Sequence, residues 1–262
     1  MSNLIGISGK IGSGKDTVGK IIQMLAQGID SNKQIIDYVN GTDFTGFDYQ
    51  IKKYADKLKD IVCLLIGCTR EQLEDREFKE KGLGEEWDHW IRTSSWSNHI
   101  ELVPNYVEGA ELHVHKRKMT PRKLLQLLGT ECGRSIIHPN IWVNALFSDY
   151  DNNFHAKKFS VRQGFEEPEY PNWIITDVRF PNEAQAIKDR GGIIIRVNRE
   201  IDTTALQKGS VLLSDVIKSM SVEHHPSETA LDDYKFDYVI DNNGSIEELI
   251  NRVRDLIINN DR

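Results

Sequence analysis

The sequence predicts an α/β fold, a three-layer arrangement of five parallel strands with helices on both faces. Three observations predict it. An apolar run at 4–7 passes through Gly9, Gly12 and Gly14 into a segment with helical apolar spacing. Two later runs, 173–176 and 193–197, are apolar without alternation, the pattern of strands buried on both faces. Segments of helical periodicity separate the strands, so crossovers rather than hairpins join them.

The elements follow in order. The first strand covers 4–7 and its helix 16–26, ending toward Gly28. Residues 27–48 are polar, with Gly41 and Gly46, and read as a loop or small hairpin. A second strand is expected over 49–54. A helix over 56–66 follows, with Leu58, Val62, Leu65 and Ile66 at helical spacing and Gly67 as its stop. Residues 69–92 are charged and read as helical, with Thr69 as N-cap. The stretch 94–118 alternates around Pro104-Asn105 and Glu108-Gly109 and reads as an inserted β-hairpin. Thr120-Pro121 opens a helix with proline at its first position, striped by Leu124, Leu127 and Leu128. A further helix covers 140–150, and an exposed polar loop 151–171. The strand at 173–176 ends at Asp177, and a helix over 182–190 closes at Gly191-Gly192. A fourth strand spans 193–197. Residues 199–232 form a polar, lid-like region with a helical patch near 211–220. The last strand covers 236–240 and the last helix 245–258, where Ser245 and Glu248 have capping-box spacing. Residues 1–262 therefore read as one domain with insertions at 94–118 and 151–171.

Composition narrows the function classes. Hydrophobic residues make up 39% of the 262 residues, enough for a real core. A net charge of −7 argues against a general nucleic-acid binder, which needs a basic surface. No apolar run approaches the ~20 residues that span a bilayer. Strand one begins too early and ends in glycines, unlike a secretory signal, so a cytoplasmic protein is expected. Cys63, Cys68 and Cys132 are few, odd in number and without metal-ligand spacing, as in reduced cytosolic thiols. The Asn-Gly-Thr at 40 and Asn-Gly-Ser at 243 then read as turns.

Gly9 to Lys15 spells GxxxxGK between a strand and a helix. Glycines there let the backbone approach a polyphosphate, its N–H groups point inward, and the helix presents its positive end. Lys15 is placed to reach the outer phosphates. The residue after the lysine, usually a magnesium-binding hydroxyl, is Asp16, with Thr17 next. In such a sheet ligands gather beyond the C-terminal ends of the strands. Those positions hold Asp56, Lys57 and Lys59; Asp177 and Arg179; Arg196 and Arg199; and Asp241 to Gly244. Asp177 fits an acidic residue that orients magnesium, and Arg179 offers bidentate contact to phosphate. The plainer alternatives are a cap for Asp177, a surface charge for Arg179, and a dipole partner of its helix for Glu183. Arg76 and Arg122 read, on spacing alone, as solvated helix charges, and Trp142 as core. His113 and His115 alternate but lack a third ligand for a metal. His224 to Glu228 reads structurally as a turn and functionally as a stretch able to close over phosphates.

Several stretches together resemble the deoxynucleoside monophosphate kinases of tailed bacteriophages, which have the P-loop nucleoside-monophosphate-kinase-like fold. They are GKIGSGKDT, YADKLKD, LEDREFKEK, TPRKLLQLLGTECGR with IWVNALF, TDVRFPNEAQAI, HPSE and DNNGSIEEL, in order along nearly the whole chain. GKDT is itself typical of that group. The resemblance implies transfer of the γ-phosphoryl of ATP to a deoxynucleoside 5′-monophosphate, with Mg²⁺. It implies ATP on Gly9, Gly12, Ser13, Gly14, Lys15, Asp16 and Thr17, with Asn242 and Gly244 at the adenine. It implies metal near Asp16, Thr17 and Asp177. It places the acceptor on Lys59, Arg76, Arg122, Gly129, Thr130, Trp142, Asp177, Arg179 and Glu183. Lys15, Arg179, Asp177 and Arg199 would carry the chemistry, and His225 to Glu228 would belong to the lid. Neither nucleic acid nor membrane is an expected partner; a homodimer and, for a phage-encoded chain, the host cytoplasm are consistent with the resemblance. A P-loop kinase of another acceptor, such as dephospho-coenzyme A, and a nucleotide-dependent switch protein stay open as alternatives.

Overall fold

The computed structural model describes residues 2–94, 112–152, 170–200 and 229–260. They form two compact units, Met1–Tyr54 with Val143–Arg262, and Ala55–Trp142.

The first unit holds a five-stranded, wholly parallel sheet. Its strands are β1 (Leu4–Ser8), β2 (Tyr49–Lys52), β5 (Asn172–Val178), β6 (Ile193–Asn198) and β7 (Tyr238–Asp241), in the order β2-β5-β1-β6-β7. The alternation of strand residues explains why the apolar runs are unbroken. Ile5, Ile7, Ile174, Ile195 and Val197 join one core, with residues of α1 (Lys15–Ala26), α2 (Asn32–Val39) and α9 (Ile246–Asn260). Leu4, Trp173, Ile175 and Ile194 join the other, with residues of α7 (Ile141–Asn152) and α8 (Pro181–Lys188). Both faces are covered, so neither can afford a polar alternate residue.

One irregularity matters for function. β1 advances from Gly6 to Ser8 while β5 advances from Ile175 to Val178, so β5 carries one extra residue at Thr176-Asp177. A bulge of this kind re-aims side chains at a strand end. Nearby, α1 lies close to β5, because a Cβ at Gly19 would stand 2.7 Å from Thr176 Cγ2.

The second unit contains α3 (Asp56–Ile66), α4 (Arg70–Glu74), α5 (Arg76–Glu80), the antiparallel pair β3 (His89–Ser94) and β4 (Leu112–Arg117), and α6 (Pro121–Gln126). The helix α6 runs on as an eleven-residue π-helical segment, Leu127–Ile137. Leu58, Val62, Leu73, Met119, Leu124 and Trp142 form its core. Thr69 and Gln72 cap α4 reciprocally, with side-chain-to-backbone bonds of 3.2 and 2.9 Å. Thr120 caps α6 through Lys123 N–H, with Pro121 in its first turn. Leu83 N–H bonds Met119 O, and Met119 N–H bonds Asp88 Oδ1, closing the base of the hairpin.

Four expectations are corrected. Residues 27–48 contain the helix α2, whose Ile35 is buried among α1 and sheet residues; one buried position in a polar segment left little periodicity to read. The charged stretch 69–92 is not one helix. Asp75 is extended, ends α4 and caps α5 through Phe78 N–H at 2.7 Å. The hairpin starts at His89 rather than 94, its residues 95–111 lying outside the description. The helix read from Pro121 through Leu128 is α-helical only to Gln126 and continues as a π-helical segment to Ile137. The calls at 151–171 and on the lid-like region fall mostly outside the described residues, as do His224 to Glu228.

The fit of α1 on β5 is tested by Gly19→Val. Added bulk against Thr176 is expected to cost about 1–3 kcal/mol in urea unfolding, without change in the denaturant slope.

Candidate active site

The phosphate loop is built from backbone. Gly12 and Gly14 have φ of 77° and 93°, the left-handed region that favours glycine. Space matters as well: a Cβ on Gly9 would fall on Ser13 Oγ and 2.5 Å from Val197 O, and one on Gly14 2.5 Å from Asn242 Nδ2. Asn242 is the brace for this turn. Its Nδ2 donates to Ser13 O at 2.9 Å, while its own N–H donates to Asn198 O at 2.7 Å. The tip of β6 and the end of β7 thereby hold the loop.

Three features of the loop and its helix suit a polyphosphate. Lys15 Nζ donates to Gly9 O and Lys10 O, each at 2.7 Å, so its ammonium lies folded over the turn. Ser13 is 2% exposed and its hydroxyl has no hydrogen-bond partner among the described residues. A buried orphan hydroxyl is costly unless a ligand supplies its partner. No side chain caps the N-terminus of α1, which leaves its first N–H groups and positive end to an anion.

Asp16 ties this loop to the neighbouring strand ends. Its Oδ1 accepts the Thr176 hydroxyl at 2.6 Å and the Lys53 ammonium at 2.9 Å. Partial desolvation pushes the Asp16 pKa up. The bond from Thr176, the bond and charge of Lys53, and the charge of Lys15 outweigh it and hold the carboxyl below its ordinary value of 3.8. The second product of the β5 bulge, Asp177, accepts Tyr54 N–H at 2.8 Å. Glu183 is 2% exposed, and its Oε2 accepts the N–H groups of Arg179 and Phe180 at 2.7 and 3.0 Å. It fixes the backbone that presents Arg179. Tyr54 reaches the same corner, its hydroxyl donating to Glu183 O at 2.8 Å. Thr17 lies in the first turn of α1, Arg199 and Gly244 are exposed, and Glu200 N–H bonds Asn243 Oδ1 at 2.8 Å.

The remaining candidates lie in the second unit. Lys59 Nζ meets Glu74 Oε1 at 2.5 Å, Lys79 Nζ stands 3.8 Å from Glu74 Oε2, and Arg122 pairs with Glu80. Arg70 also reaches Glu74, at 3.7 Å, but Asp56 and Asp60 hold it at 2.9 and 2.8 Å. Burial pushes the Lys79 pKa down. Lys59 and Arg122 push it the same way, and Glu74 does not fully offset them. Arg76 is exposed at the start of α5. Trp142 is 7% exposed, donates Nε1–H to Gly129 O at 2.8 Å, and packs on Gly133, where a Cβ would lie 3.1 Å from its ring. Thr130 O accepts the Ser135 hydroxyl at 3.2 Å.

Sequence reasoning missed Lys53, Thr176 and Lys79. Lys53 directly follows the end of β2, so the strand-end rule covered it. Thr176 passed for an ordinary residue of an apolar run. Lys79 lies three residues after Arg76 on one short helix, a spacing that shares a face.

The carboxylates at these strand ends are Asp16 and Asp177, and among the described residues no three His, Cys, Asp or Glu gather into a metal cage. Magnesium is commonly held by one or two carboxylates together with substrate phosphates, which this donor set fits.

The Asp16 pair yields a pH prediction. A lowered native pKa stabilises folding only where the unfolded carboxylate is ionised. The difference in unfolding free energy between wild type and Asp16→Asn is expected to be flat above about pH 5. It should shrink as pH falls through the unfolded value of about 3.9 toward the native one. With Asp16 largely exposed, the pair itself contributes under about 1 kcal/mol, measurable by urea titration at several pH values.

Comparison with known proteins gives the family. The family model for deoxynucleotide monophosphate kinase matches residues 29–253. The chain is 26% identical over 256 residues to the deoxynucleoside-5′-monophosphate kinase of Escherichia phage T5, covering 88% of this chain and 86% of that one. It is 32% identical over 136 residues to a protein of Acanthamoeba polyphaga mimivirus that bears the family's name, covering 51% and 59%. With a phosphate loop, a wholly parallel sheet and a family match across most of its length, the chain belongs to the deoxynucleotide monophosphate kinase family of phosphotransferases.

Proposed function

We propose that the chain transfers the γ-phosphoryl of ATP to a deoxynucleoside 5′-monophosphate, giving the diphosphate and ADP. The observation that carries the donor half is the buried, unpartnered Ser13 hydroxyl inside a loop whose lysine lies on two carbonyl oxygens. Gly9, Gly12, Ser13, Gly14, Lys15, Asp16 and Thr17 hold the triphosphate in this reading, and Asn242 and Gly244 border the adenine. Asp16, Thr17 and Asp177, with phosphate oxygens, would hold Mg²⁺, which would supply charge neutralisation at the phosphates.

The protein's own groups do the rest by position and charge, since phosphoryl transfer needs no covalent nucleophile. Lys15 exchanges the Gly9 and Lys10 carbonyls for phosphate oxygens. Lys53 keeps Asp16 ionised and oriented. Arg179, held by its Glu183-bound backbone, and Arg199 oppose negative charge on the group in transfer. Glu183 thus positions rather than touches. Lys59, Lys79, Arg76 and Arg122 bind the acceptor phosphate. Glu74 and Glu80 keep these cations together until a stronger anion competes for them. Trp142, pinned to Gly129 O, holds the Gly129-Thr130 turn in shape.

Two results are expected. Lys15→Ala loses at least about a hundredfold in kcat, while its thermal unfolding stays close to wild type. Near-normal turnover would overturn the donor assignment. Lys79→Ala raises the acceptor KM about tenfold, the worth of one charge-assisted bond, and leaves the KM for ATP unchanged. An equal rise in both would remove Lys79 from the acceptor side.

A further inference from the structure

The end of α3 brings two thiols together in a way the kinase reaction does not use. Gly67 has φ 69°, so the helix ends in a left-handed turn. Gly67 N–H donates to Cys63 O at 2.9 Å, and Cys68 N–H donates to the same oxygen at 3.2 Å. The second of these is the six-to-one bond of a Schellman turn. That bond places the residue after the glycine beside the residue three before the helix end, where an apolar pair usually packs. Here both positions are cysteine, and their sulfurs stand 3.7 Å apart within hydrogen-bond reach. Cys132 is a third free, half-buried thiol.

We infer that Cys63 and Cys68 form a reversible two-electron redox site, closing to a disulfide when a hydroperoxide is present. The backbone needs no rearrangement, because the turn already sets the two residues side by side. Side-chain rotation shortens the gap to the ~2 Å of a bond. Burial pushes the Cys63 thiol up, and its Cys68 neighbour adds to that, so Cys68 is the sulfur that reacts first. Its thiolate attacks one peroxide oxygen. The O–O bond breaks, the second oxygen leaves as water after taking a proton, and Cys68 becomes a sulfenic acid. Cys63 sulfur then attacks Cys68 sulfur. The S–S bond forms, and the sulfenic oxygen leaves as water with the Cys63 proton. Two sulfurs have each given one electron, and one hydroperoxide has been reduced to water, or to water and an alcohol.

The site lies at the joint between α3, which carries Lys59, and α4, which carries Glu74. Arg70 already spans that joint to Asp56 and Asp60, so the cross-link fixes a turn that is held at its other side by charge.

The test uses the full-length folded protein and hydrogen peroxide. Intact mass is expected to fall by two hydrogens, and peptide mapping to find a Cys63–Cys68 cross-link that dithiothreitol reverses. Cys132→Ser should keep the cross-link. Cys63→Ser and Cys68→Ser should each lose it and accumulate sulfinic acid at the remaining thiol. The inference is overturned if wild type gains oxygen at Cys63 or Cys68 without cross-linking. It is equally overturned if both stay open to iodoacetamide after peroxide has oxidised Cys132.

Discussion

One carboxylate ties three elements of the first unit together. Asp16, at the start of α1, takes a hydroxyl from β5 and an ammonium from the end of β2 through a single oxygen. That arrangement requires α1 to lie close against the sheet, and Gly19 allows it. It also requires Thr176 to face α1, at the strand end where β5 carries an extra residue. Asn242 completes the clamp from the other side by holding Ser13 O. The loop is therefore preorganised by the neighbouring strand ends as well as by its own glycines. An anion-binding turn gains most from such rigidity, because no reorganisation is then needed when charge moves.

Much of this was legible in the sequence, for physical reasons that differ by element. GxxxxGK could be read because only glycine tolerates those backbone angles and close approaches. Strands buried on both faces could be read because neither face allows a polar residue. Helix α3 was legible to the residue, since its stripe and Gly67 agree. What escaped depends on tertiary partners. Helix α2 has one fully buried position. The break at Asp75 needs a side chain that ends one helix and starts the next. Lys53 and Thr176 acquire meaning only when the fold sets them beside Asp16. Glu183 was singled out for the acceptor, and the structure instead finds its carboxylate bound to the backbone of Arg179 and Phe180.

The second unit follows a different logic. Several of its lysines and arginines are paired with carboxylates rather than free on the surface. Glu74 receives Lys59, Arg70 and Lys79, and Arg70 is already satisfied by two aspartates. The π-helical segment beside it is equally purposeful. Wide turns are strained, and this one is stabilised by the bond from Trp142 to Gly129 O and by glycine at 133, where a side chain would press on the indole.

The central claim is that these two halves serve ATP and a deoxynucleoside monophosphate. It is tested most directly by an acceptor panel with ATP and magnesium, following ADP release for each of the deoxynucleoside 5′-monophosphates and for dephospho-coenzyme A. The account predicts rapid release with at least one deoxynucleotide and none above background with dephospho-coenzyme A. Release with no deoxynucleotide, or with dephospho-coenzyme A alone, would contradict it.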